Sequence, residues 1–113
     1  MKLFAYGTLM RRGRLEALVD RRLPDPVPAV LEGYRRYDTG RGYPVILEEP
    51  GASVEGLLWD LGDADLRFLD HYEGFDEDPP VYYRRTVRVR VGDREEWAEA
   101  YVGNAALFRD LAR

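Results

Sequence analysis

The chain has 113 residues, of which 45% are hydrophobic and 34% are charged, and its formal net charge at pH 7 is −4. This length fits one folded domain, residues 1–113, and the composition argues against disorder. The acidic balance argues against a nucleic-acid partner, because neutralising phosphate groups requires a basic face on the protein.

The start of the sequence gives no sign of export. The apolar residues 3–6 are too few for a secretory signal, because Gly7 and then Arg11 and Arg12 follow them. No stretch approaches the roughly 20 apolar residues that span a bilayer. The chain also lacks cysteine, and so has no disulfide framework. We therefore expect a cytoplasmic monomer or homodimer that does not act at a membrane.

Several reaction classes lack the residues they need. With no cysteine, one serine (Ser53) and one histidine (His71), a Ser/His or Cys/His nucleophile system has almost no components. One histidine cannot supply a zinc site. The single lysine, Lys2, lies beside the terminus and is a poor candidate for a Schiff base. Catalysis should therefore depend on Asp, Glu, Tyr, Arg or backbone amides, with no metal or cofactor.

The sequence pattern of the first half of the chain predicts a strand, a short helix and a second strand, in that order. Residues 3–6 form a short apolar strand that ends at Gly7, and residues 14–20 have apolar side chains at helical spacing. After a proline-rich extended connection, residues 29–38 predict a strand with a bulge at Gly33.

Two hairpins and two helices are predicted in the rest of the chain. Residues 43–47 and 54–61 suggest paired strands joined by a turn at Glu-Glu-Pro-Gly-Ala, with Ser53 in that turn. Asp63 is a good N-cap for a helix over 63–72, and Gly74 is a good stop. Residues 86–91 and 97–102 alternate around Gly92-Asp93, and 105–112 predict a short helix.

These elements together predict an α+β fold. The alternating strands indicate a sheet that curls into a small open barrel, whose mouth is a natural pocket. The second hairpin carries many charges, and cross-strand ion pairing on a solvated face explains them better than a nucleic-acid site. These charged residues are Arg84, Arg85, Arg88, Arg90, Arg94, Glu95, Glu96 and Glu99.

Glu73 is the best candidate for acid/base chemistry. It continues the apolar stripe of Leu66 and Leu69 at the end of the predicted helix. Burial and the negative end of the helix dipole would both raise a carboxyl pKa, as a general acid or base at neutral pH requires. A solvent-facing glutamate fits the same geometry equally well. Asp70 could pair with Glu73, although capping or solvation is the more ordinary role, and His71 falls off the stripe.

Two further segments could contribute to a binding site. In Tyr6-Gly7-Thr8-Leu9, the glycine after a buried strand lets successive amides converge on an anion such as a substrate carboxylate, although a glycine at such a position is more often simply a turn residue. In Tyr82-Tyr83-Arg84, a tyrosine ring and hydroxyl could line a pocket, although core packing is the more ordinary role for at least one of the two tyrosines. We take Tyr6, Gly7, Thr8, Leu9 and Tyr82 as the candidate substrate-binding residues.

The order of these motifs resembles the gamma-glutamylcyclotransferase-like family, which includes the gamma-glutamylamine cyclotransferases. The likeness covers essentially the whole chain, and the first loop and the segment around Glu73 are its most specific parts. The motifs are Tyr6-Gly7-Thr8-Leu9, Gly33-Tyr34, Tyr43-Pro44, Val54-Glu55-Gly56, Leu69-Asp70-His71-Tyr72-Glu73-Gly74, Tyr82-Tyr83-Arg84 and Tyr101.

This resemblance implies a small mixed β-barrel flanked by short helices, with a cavity at its mouth. It also implies that Glu73 is the catalytic acid/base and that the loop from Tyr6 to Leu9 holds the glutamyl end of a small gamma-glutamyl substrate. The implied reaction releases an amine and leaves 5-oxoproline. Two other interpretations are a non-catalytic metabolite-binding module and, less favoured by the geometry, a glycoside hydrolase using Asp70 and Glu73.

Overall fold

The computed structural model describes residues 1–72 and 79–112. Two 3-10 turns cover Thr8–Met10 and Arg109–Ala112. The remaining elements, in chain order, are β1 (Lys2–Ala5), α1 (Arg12–Val19), β2 (Val27–Asp38), β3 (Pro44–Asp60), α2 (Asp63–Tyr72), β4 (Tyr82–Val91), β5 (Arg94–Gly103) and α3 (Ala105–Phe108). The predicted α+β class and the small mixed β-barrel with short flanking helices are confirmed.

The barrel is closed, with the strand order β1-β3-β2-β4-β5. Strand β1 is antiparallel to β3 and parallel to β5, where Leu3 lies opposite Glu99. The expectation of an open barrel was therefore wrong, because the short first strand pairs along both of its edges. The parallel pair between β1 and β5 both completes the ring and makes the sheet mixed.

The predicted hairpin between residues 43–47 and 54–61 was also wrong. Both segments belong to the continuous strand β3, and each pairs antiparallel with a different half of β2. Pro50-Gly51 is a local turn signal and does not depend on the partner strand. Strand β2 is 12 residues long, and both halves of β3 can therefore pair along it. Residues 49–52 bulge out opposite Gly33 and do not reverse the chain.

The opposite strand bends at the same point. Register shifts between Glu32 and Tyr34, and Gly33 between them has a φ of +85°, so the predicted bulge at Gly33 is confirmed. Ser53 lies in β3 opposite Glu32 rather than in a turn. The side chain of this serine is therefore exposed on a paired strand.

The two longer helices begin close to the predicted positions. Helix α1 starts at Arg12, two residues before the predicted start. Helix α2 covers the predicted 63–72, but its N-cap is Gly62, whose carbonyl accepts the first helical bond from Leu66. The carboxylate of Asp65 reaches back to the Gly62 amide at 2.9 Å, as in a capping box. Within residues 1–72 and 79–112, no helix combines the length and apolar character needed to cross a membrane.

The second hairpin forms as predicted and is longer than expected. Strands β4 and β5 pair from Tyr82 opposite Gly103 to Val91 opposite Arg94. Cross-strand ion pairing is confirmed, since Arg88 lies 3.2 Å from Glu95. These exposed pairs contribute little stability individually.

Buried side chains form two hydrophobic clusters. The barrel-interior cluster fills the space between the strands, and its buried members are Phe4, Tyr6, Ala29, Leu31, Ile46, Val54, Leu58, Val87, Val89, Ala98, Ala100 and Val102. The helix-side cluster packs the helices against the sheet, and its buried members are Leu3, Ala5, Leu9, Leu15, Leu23, Val45, Leu47, Trp59, Leu61, Leu66, Leu69, Tyr82, Tyr101 and Phe108. A cavity beside β1 is lined by members of both clusters.

Candidate active site

A cavity of about 510 Å³ opens beside β1 and the loop that follows it. This volume lies within the range of small-molecule sites. Its wall combines residues of the first loop with tyrosines from four other parts of the chain. The lining residues are Leu3, Phe4, Ala5, Tyr6, Gly7, Thr8, Leu9, Arg14, Gly42, Tyr43, Pro44, Tyr72, Val81, Tyr82 and Tyr101.

The loop after β1 contributes Gly7, Thr8 and Leu9 to the cavity lining. The chain turns at Gly7, whose carbonyl accepts from the Met10 amide at 3.0 Å, and the Thr8 carbonyl accepts from Arg11 at 3.1 Å. Among the described residues, no acceptor pairs with the amides of Gly7, Thr8 and Leu9. Successive unpaired amides at a tight turn favour an anionic group.

Gly7 also packs closely against Pro44. A Cβ atom at Gly7 would lie 3.0 Å from Cγ of Pro44 and 3.3 Å from its Cδ. The ring of Pro44 is rigid, so a larger residue would displace this part of the wall. The Pro44 carbonyl in turn accepts a hydrogen bond from the Tyr82 hydroxyl at 2.7 Å.

Tyrosine rings form the opposite side of the cavity. The ring of Tyr82 lies 6.1 Å from that of Tyr43 and 6.4 Å from that of Tyr101. The Tyr6 hydroxyl donates to the main-chain carbonyl of Tyr101, which ties the first loop to β5. This wall is therefore held by ring packing and by hydrogen bonds to backbone carbonyls.

The five candidate binding residues all line this single cavity. Tyr6 and Leu9 are buried, Gly7 and Thr8 are half-buried, and Tyr82 is 7% exposed. The neighbouring Tyr83, by contrast, is 41% exposed and is not among the lining residues.

Glu73 itself lies outside the described residues, so its predicted position and burial stay predictions. The helix that leads to it is anchored as expected, because Leu66 and Leu69 are both 0% exposed. The last described residue of α2, Tyr72, lines the cavity.

Asp70 holds helix α2 against the barrel. Its Oδ1 accepts from the Tyr101 hydroxyl at 2.8 Å and lies 3.4 Å from Nε of Arg84. The side chain of Asp70 is 15% exposed, and Arg84 also approaches Glu99 at 3.9 Å. Asp70 thus connects the helix to β4 and β5, in keeping with an anchoring role.

Sequence reasoning missed Arg14, which is the one charged side chain among the described lining residues. Arg14 was predicted only as part of a helix, and nothing in a helical pattern tells which cavity an exposed position faces. Tyr43, Pro44 and Tyr101 also line the cavity. All three belong to the family motifs, but they were not among the predicted site residues.

The single serine and the single histidine of the chain lie outside the cavity lining. Ser53 is in β3, and His71 is an exposed residue of α2 that is not among the lining residues. Within the described part of the chain, no group of three or more His, Cys, Asp or Glu side chains could hold a metal ion.

Comparison with known proteins places this arrangement in a family. A family model described as gamma-glutamyl cyclotransferase, AIG2-like, matches residues 3–111. An AIG2-like protein C of Arabidopsis thaliana is 38% identical over 104 residues, which are 88% of this chain and 57% of that protein.

Two further relatives agree. A gamma-glutamylcyclotransferase and putative RNase of Methanocaldococcus jannaschii is 32% identical over 101 residues, which are 88% of this chain and 43% of that protein. The solution structure of an Arabidopsis thaliana protein superimposes with a TM-score of 0.78 at 31% identity, covering 95% of this chain and 66% of that one. The chain spans about half the length of these two curated relatives. It belongs to the gamma-glutamyl cyclotransferase, AIG2-like family.

Proposed function

We propose that this protein is a gamma-glutamyl cyclotransferase-type enzyme with Glu73 as its general acid and base. It would act on a gamma-glutamyl amine or peptide and release 5-oxoproline. The observation that carries this proposal is the cavity of about 510 Å³, which joins the unpaired amides of the first loop to the end of α2. Tyr72 lines that cavity and directly precedes Glu73.

The first loop would hold the glutamyl end of the substrate. Its amides at Gly7, Thr8 and Leu9 suit the α-carboxylate, because backbone N–H groups need no counter-charge to be kept in place. The rings of Tyr82 and Tyr101 would confine the methylene chain in a bent conformation. Such a pocket favours the conformer in which the α-nitrogen faces the γ-carbonyl carbon.

The reaction requires two protons to leave the α-nitrogen. The substrate α-ammonium gives one proton to the Glu73 carboxylate, and the resulting amine attacks the γ-carbonyl carbon. Glu73 gives that proton to the departing nitrogen as its bond to the carbon breaks, and the second proton, lost from the ring nitrogen, leaves with the released amine as its ammonium ion, so that 5-oxoproline and an ionised Glu73 remain. Because the attack is intramolecular, holding the bent conformer supplies much of the acceleration, and proton transfer adds about 10²- to 10⁴-fold.

The substitution Glu73→Gln tests the assigned role. It keeps the size of the side chain and removes the proton acceptor, so we expect kcat for 5-oxoproline formation to fall by about 100-fold or more. Glu55→Gln is the matched control, since Glu55 is an exposed glutamate of β3 outside this cavity, and it should keep full activity. A folded Glu73→Gln protein with unchanged turnover would contradict the proposal.

The competing function is a binding module that holds a small anionic metabolite without converting it. The unpaired amides of the first loop would serve such a module equally well. A broad panel of gamma-glutamyl compounds separates the two functions by 5-oxoproline release and melting temperature. Binding alone is favoured if no compound yields product while one of them raises the melting temperature.

A further inference from the structure

Arg14 differs from the other residues that line the cavity. It is the one charged side chain among the described lining residues, and it is exposed, whereas Leu9 of the same wall is 6% exposed. Arg14 therefore lies at the rim of the cavity rather than in its depth. It forms no ion pair with any residue in the described part of the chain.

The nearby Arg12 shows what a structural arginine looks like on the same helix. Its guanidinium bonds to Glu16 at 3.0 Å, to the Leu23 carbonyl at 2.7 Å and to Asp25. These contacts tie α1 to the segment that follows it. Arg14 has no such set of partners among the described residues, and it differs from Arg12 in lining the cavity.

We propose that Arg14 binds a carboxylate on the leaving portion of the substrate. A guanidinium pairs with a carboxylate through two parallel hydrogen bonds, and it stays charged at every physiological pH. The inference rests on the proposed function, in which the glutamyl end occupies the amides of the first loop. The part of the substrate beyond the γ-carbonyl then extends towards the rim, where Arg14 lies.

The substrate class follows from this placement. Gamma-glutamyl amino acids and peptides carry a carboxylate on the departing amine, and Arg14 would bind them. Gamma-glutamyl derivatives of simple amines lack that group, and polyamines would add a positive charge near the guanidinium. The protein should therefore prefer a gamma-glutamyl amino acid or peptide to a gamma-glutamyl amine.

A matched pair of substrates tests the preference. Gamma-glutamyl-alanine and gamma-glutamyl-ethylamine differ only in the carboxylate of the leaving portion. We expect the native protein to favour the alanine compound in kcat/KM by about tenfold, the size of effect that one partly exposed charged hydrogen bond gives. In Arg14→Ala this ratio should fall towards one, chiefly through KM for the alanine compound.

Two further variants show whether the charge and its position are responsible. Arg14→Lys should recover part of the preference, because it restores the charge without the planar pair of donors. Arg22→Ala removes a charge outside the cavity lining and should leave the ratio unchanged. An unchanged ratio in Arg14→Ala, or an equal loss with both substrates, would overturn the inference.

Ligand binding keeps this test separate from the proposed function. If neither compound yields 5-oxoproline, the cyclotransferase proposal fails for these substrates, but their effect on the melting temperature still reports recognition. A larger rise with the alanine compound, lost in Arg14→Ala, would support the assignment of Arg14. Equal rises, or no rise with either compound, would overturn it.

Discussion

The two hydrophobic clusters differ in what their side chains offer beyond packing. The barrel-interior cluster is mainly aliphatic, and it contributes Phe4 and Tyr6 to the cavity wall. The helix-side cluster contributes five residues to that wall, including the hydrogen-bonded Tyr82 and Tyr101. This difference indicates that the barrel-interior cluster mainly stabilises the barrel, whereas the helix-side cluster also shapes the site.

The largest expected effect comes from crowding the barrel interior with Gly56→Ala. A Cβ atom at Gly56 would lie 2.4 Å from the Ala5 carbonyl oxygen and 2.8 Å from the Phe4 ring. Because backbone must shift to relieve this contact, we expect a loss of about 3 kcal/mol in the free energy of unfolding, measured in urea.

Gly13→Ala is the control for this crowding. Gly13 lies in α1 with no atom within 4 Å of the added Cβ, so the same substitution should stabilise the protein by up to about 1 kcal/mol. Urea midpoints that moved in the same direction for both variants would show that the crowding at Gly56 is not the cause.

A cavity in the barrel interior should lower stability without affecting the site. Val89 is 0% exposed and belongs to the barrel-interior cluster, and Val89→Ala removes two methyl groups. We expect a loss of about 2 kcal/mol in the free energy of unfolding. The kcat for 5-oxoproline release should stay at the native value at temperatures where the variant is folded. A fall in kcat, or a rise in KM as large as that expected for Tyr82→Phe, would contradict this difference between the two clusters.

A smaller change on the helix side should affect both properties. Tyr82→Phe removes the donor to the Pro44 carbonyl and should cost about 1 kcal/mol of stability. Because Pro44 lines the cavity, we also expect KM to rise by several-fold, measured by initial rates. Tyr83→Phe is the matched control, since Tyr83 is 41% exposed and lies outside the cavity lining. Equal effects of the two variants would refute the assigned role of the Tyr82 hydroxyl.

Acid should weaken the anchoring of α2 slightly. The hydrogen bonds from Arg21, together with that from the Gly62 amide, hold the pKa of Asp65 below its ordinary value. Because this pKa is lower in the folded protein than the value of about 3.9 in the unfolded chain, the ionised carboxyl group stabilises the folded state at pH values above about 3.9. That stabilisation is lost as the pH falls through the pKa of the folded state. We expect the stability difference between native protein and Asp65→Asn to shrink from pH 6 to pH 3. A difference that stayed constant over this pH range would contradict the assigned role of Asp65.

The sequence predicted the parts of the fold that depend on local pattern. The bulge at Gly33, the bounds of α2 and the hairpin of β4 and β5 all follow from residues close in sequence. The continuous β3 did not, because the turn residues Pro50-Gly51 give the same local signal whether the chain reverses or bulges. Which occurs depends on the length of the distant partner β2.

The candidate site also has parts that follow from local sequence and parts that depend on tertiary packing. The loop from Tyr6 to Leu9 carries a motif of its own, and all four of its residues line the cavity. Arg14 has no motif, and its position at the rim depends on how α1 packs against α2, which is far away in sequence. Tyr101 gave a family signal, but its contact with Asp70 across 31 residues is set by tertiary packing.

A crystal structure with bound 5-oxoproline would test the central claim most directly. The account predicts that the ligand carboxylate lies within hydrogen-bond distance of the amides of Gly7, Thr8 and Leu9, with the Glu73 carboxyl facing the ring nitrogen. A ligand bound outside this cavity, or a Glu73 side chain directed away from it into solvent, would contradict the account.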